Sequence, residues 1–168
     1  MFSVESINII RRNPEKAVAL GCAVYSSQPK SFQRKVAFGY AIEAFVYNKT
    51  LGKDELMLCV EIPSNVPLPY KMTTDYYTRH NNQSSVAFKV YEIPNAQANE
   101  KYPLTKGFAL DQVELTHSFG KPVPQSTKVN LTTELTESGT LKMTSDDGGI
   151  SKNSSSFKEF HLGTDTYR

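Results

Sequence analysis

Val86-Ala87-Phe88-Lys89-Val90-Tyr91 is the stretch on which the reading of the fold turns. Val86, Phe88 and Val90 alternate with Ala87, Lys89 and Tyr91, a period of two that puts the first set on one face of a strand and the second set on the other. Asn81-Asn82-Gln83 just before it reads as a turn. The same period recurs on both sides. Upstream, Phe38, Tyr40, Ile42, Ala44 and Val46 share one face, with Phe45 and Tyr47 opposite. Leu56 to Ile62 reads as a second strand and Met72 to Thr78 as a third, while Pro63, Pro67 and Pro69 between them break the ladder. Downstream, Phe108 and Leu110 mark a short strand. Val129, Leu131, Thr133 and Leu135 alternate, Glu137-Ser138-Gly139 turns, and Leu141 and Met143 alternate again, which makes a hairpin.

The connections read as follows. Asn48 to Glu55, with Gly52 and several charges, is expected to be a long loop. Residues 93–106 are a polar, proline-containing connection, and His117 to Gln125 is a loop with Gly120, Pro122 and Pro124. About seven short strands separated by turn signals predict a mainly β fold, an antiparallel β-sandwich. One N-terminal helix is expected to precede it. Asn13-Pro14-Glu15 combines an N-cap, a proline at the first helical position and an acid in the first turn. The run Ala17 to Tyr25 is apolar almost all round, as in a helix buried on most sides. Such a helix needs partners, so residues 1–27 read as the end of another domain. A linker at 28–35, the sandwich at 36–150 and a mostly disordered tail at 151–168 complete the division. Within the tail, Phe157 to Leu162 is a candidate further strand.

Composition narrows the function. The chain of 168 residues carries 19 basic and 17 acidic side chains and shows no basic stripe, which argues against a nucleic-acid or membrane-surface role. Cys22 and Cys59 are too few for a disulfide framework or a zinc site and read as reduced, partly buried thiols. His80, His117 and His161 share no metal-like spacing and read as loop or surface residues. Asp146-Asp147-Gly148-Gly149 lacks the alternating acids of a calcium loop and reads as a turn at a strand end. No phosphate loop, nucleophile elbow or zincin motif occurs, so the expectation is a chain that is not an enzyme, with no cofactor or metal of its own. A cytoplasmic or nuclear location is the default in the absence of a secretory signal pattern.

Several stretches in register resemble the 70-kDa heat-shock chaperone family. Val66-Pro67-Leu68-Pro69, then Tyr76-Tyr77-Thr78, then Asn82 to Glu92 are similar to that family's peptide-binding β-domain. Gly107-Phe108-Ala109-Leu110-Asp111 and Gly139-Thr140-Leu141-Lys142-Met143 match its later strands, and Asn13 to Ala23 is similar to the last helix of its ATPase domain. The resemblance covers about residues 8–150 in collinear order. It implies a chaperone module that binds short extended hydrophobic peptides and unfolded proteins, with co-chaperones as further partners. ATP is implied only for a full-length parent with the ATPase domain. By the same resemblance the pocket and channel residues are Ile42, Ala44, Phe45, Tyr76, Val86 and Phe88, with Arg79 and Phe45 near an arch over the peptide and Tyr77 and Gln83 hydrogen-bonding to it. Period alone reads Ile42, Val86 and Phe88 as ordinary sandwich core.

The chain departs from the family in two places. Ser31-Phe32-Gln33-Arg34-Lys35 stands where relatives carry an acidic, leucine-rich linker, so a base replaces the acid that couples the domains. The 48–55 loop reads as longer than the family's and as a candidate cover for the cleft. The alternative reading is therefore a divergent sandwich that serves as a protein-interaction or scaffold module, its cleft occluded.

Overall fold

An alternating strand is stable when one face is kept dry while its backbone groups pair with neighbours in the sheet. The computed structural model describes residues 34–149 and 155–162. Its strands are β1 (Phe38–Asn48), β2 (Lys53–Ile62), β3 (Tyr70–Tyr77), β4 (Gln83–Pro94), β5 (Lys101–Pro103), β6 (Phe108–Val123), β7 (Lys128–Leu135), β8 (Thr140–Asp146) and β9 (Ser155–His161), with a short 3-10 turn at Leu104–Lys106. They form a five-stranded sheet in the order β5-β2-β1-β4-β6 and a four-stranded sheet in the order β3-β7-β8-β9. Every pairing is antiparallel. The helix expected between Asn13 and Tyr25 lies outside the described residues, as does the linker up to Gln33. Lys35 forms a lone antiparallel bridge with Pro67, and the buried Val36 exchanges backbone bonds with Val66 and Asn65.

The main core takes side chains from both sheets. Ile42, Phe88, Val90 and Leu115 come from the five-stranded sheet and Val129, Leu131, Leu135, Leu141 and Met143 from the four-stranded one, which makes the arrangement sandwich-like. Each large aliphatic side chain so buried stabilises the fold by roughly 1.5–3 kcal/mol. A smaller cluster, Ala41, Leu58, Val60, Ile93 and Ala96, packs with Tyr102 and Leu104. It requires Gly39, where an added Cβ would stand 2.4 Å from the Cβ of Ala96.

Three connections differ from their sequence reading. The 48–55 loop shrinks to residues 49–52, because Lys53 already pairs with Asn48. Residues 93–106 contain the end of β4, β5 and the 3-10 turn. The expected loop from His117 to Gln125 is largely strand, since β6 runs unbroken to Val123. β6 tolerates Gly120 and Pro122 because it is an edge strand with two bulges opposite β4, where extra residues stand between Ala109 and Glu114 and between Ser118 and Val123. Finally, the candidate strand at Phe157 to Leu162 is present as β9, which begins at Ser155, ends at His161 and pairs along the whole of β8. The β7–β8 hairpin turns at the expected residues, with Gly139 at φ +84°. β8 ends at Asp146, and the Asp146 and Asp147 carboxylates accept the Gly148 and Gly149 N–H groups in the turn beyond it.

The reading of His117 as a loop or surface residue is also corrected. It is fully buried, on the inner face of β6 with Leu115 and Phe119. Its Nδ1 is 2.9 Å from Ser145 Oγ, its Nε2 is 3.7 Å from Asp147 Oδ2, and its ring stands edge-on to Phe119. A Ser-His-Asp set is suggestive of nucleophilic catalysis, but Ser145 and His117 have no exposed surface through which a substrate could approach. The contact instead links the two sheets. His117→Ala leaves a cavity and removes a partner from buried polar groups, and is expected to lower the unfolding free energy by about 3 kcal/mol. Urea unfolding followed by circular dichroism checks this, and an unchanged midpoint would show that the link adds nothing.

Candidate functional site

The strand ends beside the β1–β2 turn, Phe45 to Tyr47 with Asp54, and the β3–β4 connection, Thr78 to His80, form walls of a cleft. The β1–β2 turn is tied down by Asn48. Its side-chain oxygen accepts the backbone N–H of Thr50 and Leu51, its amide donates to Glu55 at 2.7 Å, and its carbonyl accepts the N–H of Gly52, which adopts φ +64°. A left-handed residue at this point closes a tight turn, and glycine does so without steric cost. The turn is therefore short and internally bonded.

The β3–β4 connection is braced from the β6–β7 connection. Thr78 exchanges backbone bonds with Ser126 and Thr127, and its hydroxyl donates to the Pro124 carbonyl while accepting the Thr127 N–H. Asn81 accepts the Gln125 N–H. Gln83 accepts the N–H groups of Arg79 and His80 and donates to the Ser85 carbonyl. These bonds hold Arg79 across the cleft. Its guanidinium carbon lies 3.6 Å above the centre of the Phe45 ring, a cation–π contact, and its Nε is 3.8 Å from Asp54. The β3–β4 connection is thus joined to the ends of β1 and β2 over the space between them.

That space has a volume of about 910 Å³, at the upper end of the range for ligand-binding clefts. Eight of the nine residues expected at a site line it: Ala44, Phe45, Tyr76, Tyr77, Arg79, Gln83, Val86 and Phe88. Ile42 does not. It is buried in the main core, opposite Cys59 and Val90. The floor is apolar, formed by Ala44 and Val86 above the buried core residue Phe88, with the Tyr76 ring edge-on to Phe88 at 5.3 Å. Phe45, Tyr47 and Tyr77 stand half or more exposed at the rim. Gln83, expected to bond a ligand, has its carbonyl committed to the loop backbone. The sequence reading missed the other half of the cleft, where Cys59, Glu61, Met72, Thr74, Glu100 and Lys101 also line the space.

Glu61 is the unusual member of that half. It is 1% exposed. In the β1–β2 ladder Tyr40 faces Ile62 and Ala41 faces Val60, so Glu61 is the extra residue of a bulge. Its carboxylate accepts the Tyr76 hydroxyl at 2.6 Å on one oxygen and the Thr74 hydroxyl at 2.8 Å on the other. Burial pushes its pKa up, and the two hydroxyl bonds offset only part of that. Burial and the nearby Glu61 charge likewise raise the pKa of the Tyr76 phenol. Burial raises that of the Cys59 thiol, against a smaller opposing effect of Lys101. The signal available in the sequence was one acid in the otherwise apolar run Leu56 to Ile62, with Thr74 and Tyr76 two residues apart on a facing strand.

Among the described residues no group of three or more His, Cys, Asp or Glu side chains could hold a metal ion. The chemistry the cleft offers is apolar contact, aromatic surface and a buried carboxylate. Scanned against models of protein families, the chain matches none, and no curated protein matches it in sequence.

A raised carboxyl pKa means that ionising Glu61 costs the folded state more than the unfolded one. Its contribution to stability is full below the unfolded-state pKa and is lost as pH rises through the folded-state value. Glu61→Gln keeps the shape and removes the titration. The unfolding temperature of the variant relative to wild type is expected to rise as pH goes from roughly 4 to 8, the window above the ordinary carboxyl pKa. Thermal melts at several pH values check this, and parallel curves for the two proteins would contradict it.

Proposed function

We propose that the chain is a peptide-binding module of the kind found in the 70-kDa heat-shock chaperones, whose cleft takes a short, extended, hydrophobic segment of an unfolded protein. The observation that carries this reading is the cleft itself. An apolar floor of Ala44 and Val86, above the buried Phe88, lies beneath an aromatic rim, and Arg79 and Phe45 meet above it. An extended peptide needs such a groove, with a pocket for one side chain and polar groups near its backbone. Burying one leucine side chain contributes roughly 1.5–3 kcal/mol, enough to rank peptides but too little for tight binding alone. On this reading the chain is not catalytic, its partners are unfolded proteins and co-chaperones in the cytoplasm or nucleus, and ATP enters only through a nucleotide-binding domain.

One observation favours the alternative of an interaction or scaffold module. Arg79 already rests on Phe45 and near Asp54, so the cleft is bridged. The short 49–52 turn does not extend over it, so any occlusion rests on this bridge. Both groups of the ion pair are about two-fifths exposed, which makes the bridge weak and openable.

Fluorescence anisotropy with a labelled leucine-rich heptapeptide tests the proposal. Saturable, rapidly exchanging binding is expected, and no saturation by folded protein at high concentration would sink it. Val86→Phe should fill the pocket and weaken binding by roughly tenfold, the loss of one buried side chain's contribution. Equal affinity in variant and wild type would place the peptide elsewhere. Arg79→Ala should raise the dissociation rate if a peptide passes beneath the bridge, and an unchanged rate would mean that it does not.

A further inference from the structure

Glu61 touches both the sheet packing and the cleft. Its side chain points from β2 toward the other sheet, on the same face as Cys59, and its two oxygens reach Thr74 and Tyr76 on β3. Tyr76 in turn places its ring edge against Phe88. Tyr76 and Phe88 both line the cleft, so the position of the Tyr76 ring sets the shape of the apolar wall. A carboxylate can accept from both hydroxyls at once, and such charge-assisted bonds are stronger than neutral ones. A protonated carboxyl has one oxygen that donates, so one of the two hydroxyls loses its acceptor or must turn.

We propose that Glu61 is a positioning residue of the peptide cleft: its ionised carboxylate anchors Tyr76 against the cleft wall, and loss of that charge releases the ring and weakens peptide binding. The inference rests on the peptide-binding reading and concerns the regulation of the same site. Burial moves the titration of Glu61 up from the ordinary carboxyl range. Tyr76 faces Glu61 from β3, Cys59 precedes it on its own face of β2, and Glu100 and Lys101 line the same cleft beside β5. Asp54, Asp75, Arg79 and His80 also line the cleft, from the β1–β2 and β3–β4 side. Glu43 of β1 also borders the cleft but accepts the Tyr91 hydroxyl, which pushes the Tyr91 pKa up to about 12. The phenols keep their protons below pH 8, and burial keeps the Cys59 thiol protonated, so in the contact of Glu61 with Thr74, Tyr76 and Cys59 the carboxyl is the group that changes charge as pH rises.

The test measures the affinity of a capped, labelled, leucine-rich heptapeptide without ionisable side chains for wild type, Glu61→Gln and Tyr76→Phe across pH 5 to 8.5. Circular dichroism at each pH confirms that the protein is folded. Wild-type affinity should fall by roughly fivefold or more on acidification, the low end of measured coupling effects. Glu61→Gln should give a flat profile at the acid level of wild type. Tyr76→Phe, which keeps the ring and removes only the hydroxyl, should be flat by an independent route should the Gln variant not fold. A flat wild-type profile, or the same slope in all three proteins, overturns the inference while leaving peptide binding intact. A wild type that binds at no pH removes the peptide reading and this inference with it.

Discussion

The two sheets stay together because their inner faces share one dry layer, from Ile42 and Phe88 on one side to Leu131 and Met143 on the other. An unpaired polar group in an apolar interior costs several kcal/mol, so polar groups entering this layer mostly bring partners, the buried Thr133 hydroxyl being an exception. Two acid-containing groups do enter. Near one end of the strands His117 meets Ser145 and Asp147, and beside the cleft Glu61 meets Thr74 and Tyr76. Both links join a strand of one sheet to the other sheet or to the turn that leaves it. They are costly to build compared with apolar packing, which makes them better suited to fixing geometry than to adding stability.

The cleft forms where the dry layer meets solvent between the ends of β1 and β2 and the β3–β4 connection. Side-chain bonds to backbone hold the connections beside it. Asn48 closes one turn on itself, and Thr78, Asn81 and Gln83 fasten the other to its neighbours. Arg79 is held by aromatic contact and a long ion pair, both exposed. A firm frame with one loosely held crosspiece is an arrangement in which entry can be regulated without disturbing the core. Below the rim, Glu61 accepts the hydroxyls of Thr74 and Tyr76, which ties a buried carboxyl to a residue that lines the cleft.

Much of this architecture was legible in the residues. The alternation through Val86 to Tyr91 correctly separated Phe88 and Val90, which are buried, from Lys89. The β7–β8 hairpin was legible because its turn and both strands agree. β6 was not, because proline and glycine break a central strand but are admitted at an edge, and edge position is a property of the whole sheet. The first turn was read as too long because Lys53, Asp54 and Glu55 look like loop residues, whereas they pair with Val46, Tyr47 and Asn48 at the exposed end of a strand. Within the cleft, the meeting of Phe45 and Arg79 was suggested only by family resemblance, since 34 residues separate them and no local pattern links them. Glu61 was harder to place, because the sequence shows one acid in an apolar run but not the Thr74 and Tyr76 hydroxyls that receive it from the other sheet.

The sheet edges have a consequence for solubility. Open strands are templates for other extended chains, and two sheets of this kind have four of them: β5, β6, β3 and β9. Each carries an obstacle to uninvited pairing. β5 is three residues long and ends in Pro103, β6 carries Lys121 and Pro122 beside its bulge, β3 has Lys71 and Asp75, and β9 has Lys158 and Glu159. A protein that attracts exposed apolar segments in its cleft would otherwise risk co-aggregating with them along its flanks. If the cleft takes apolar segments as proposed, guarded flanks would confine that capture to the cleft.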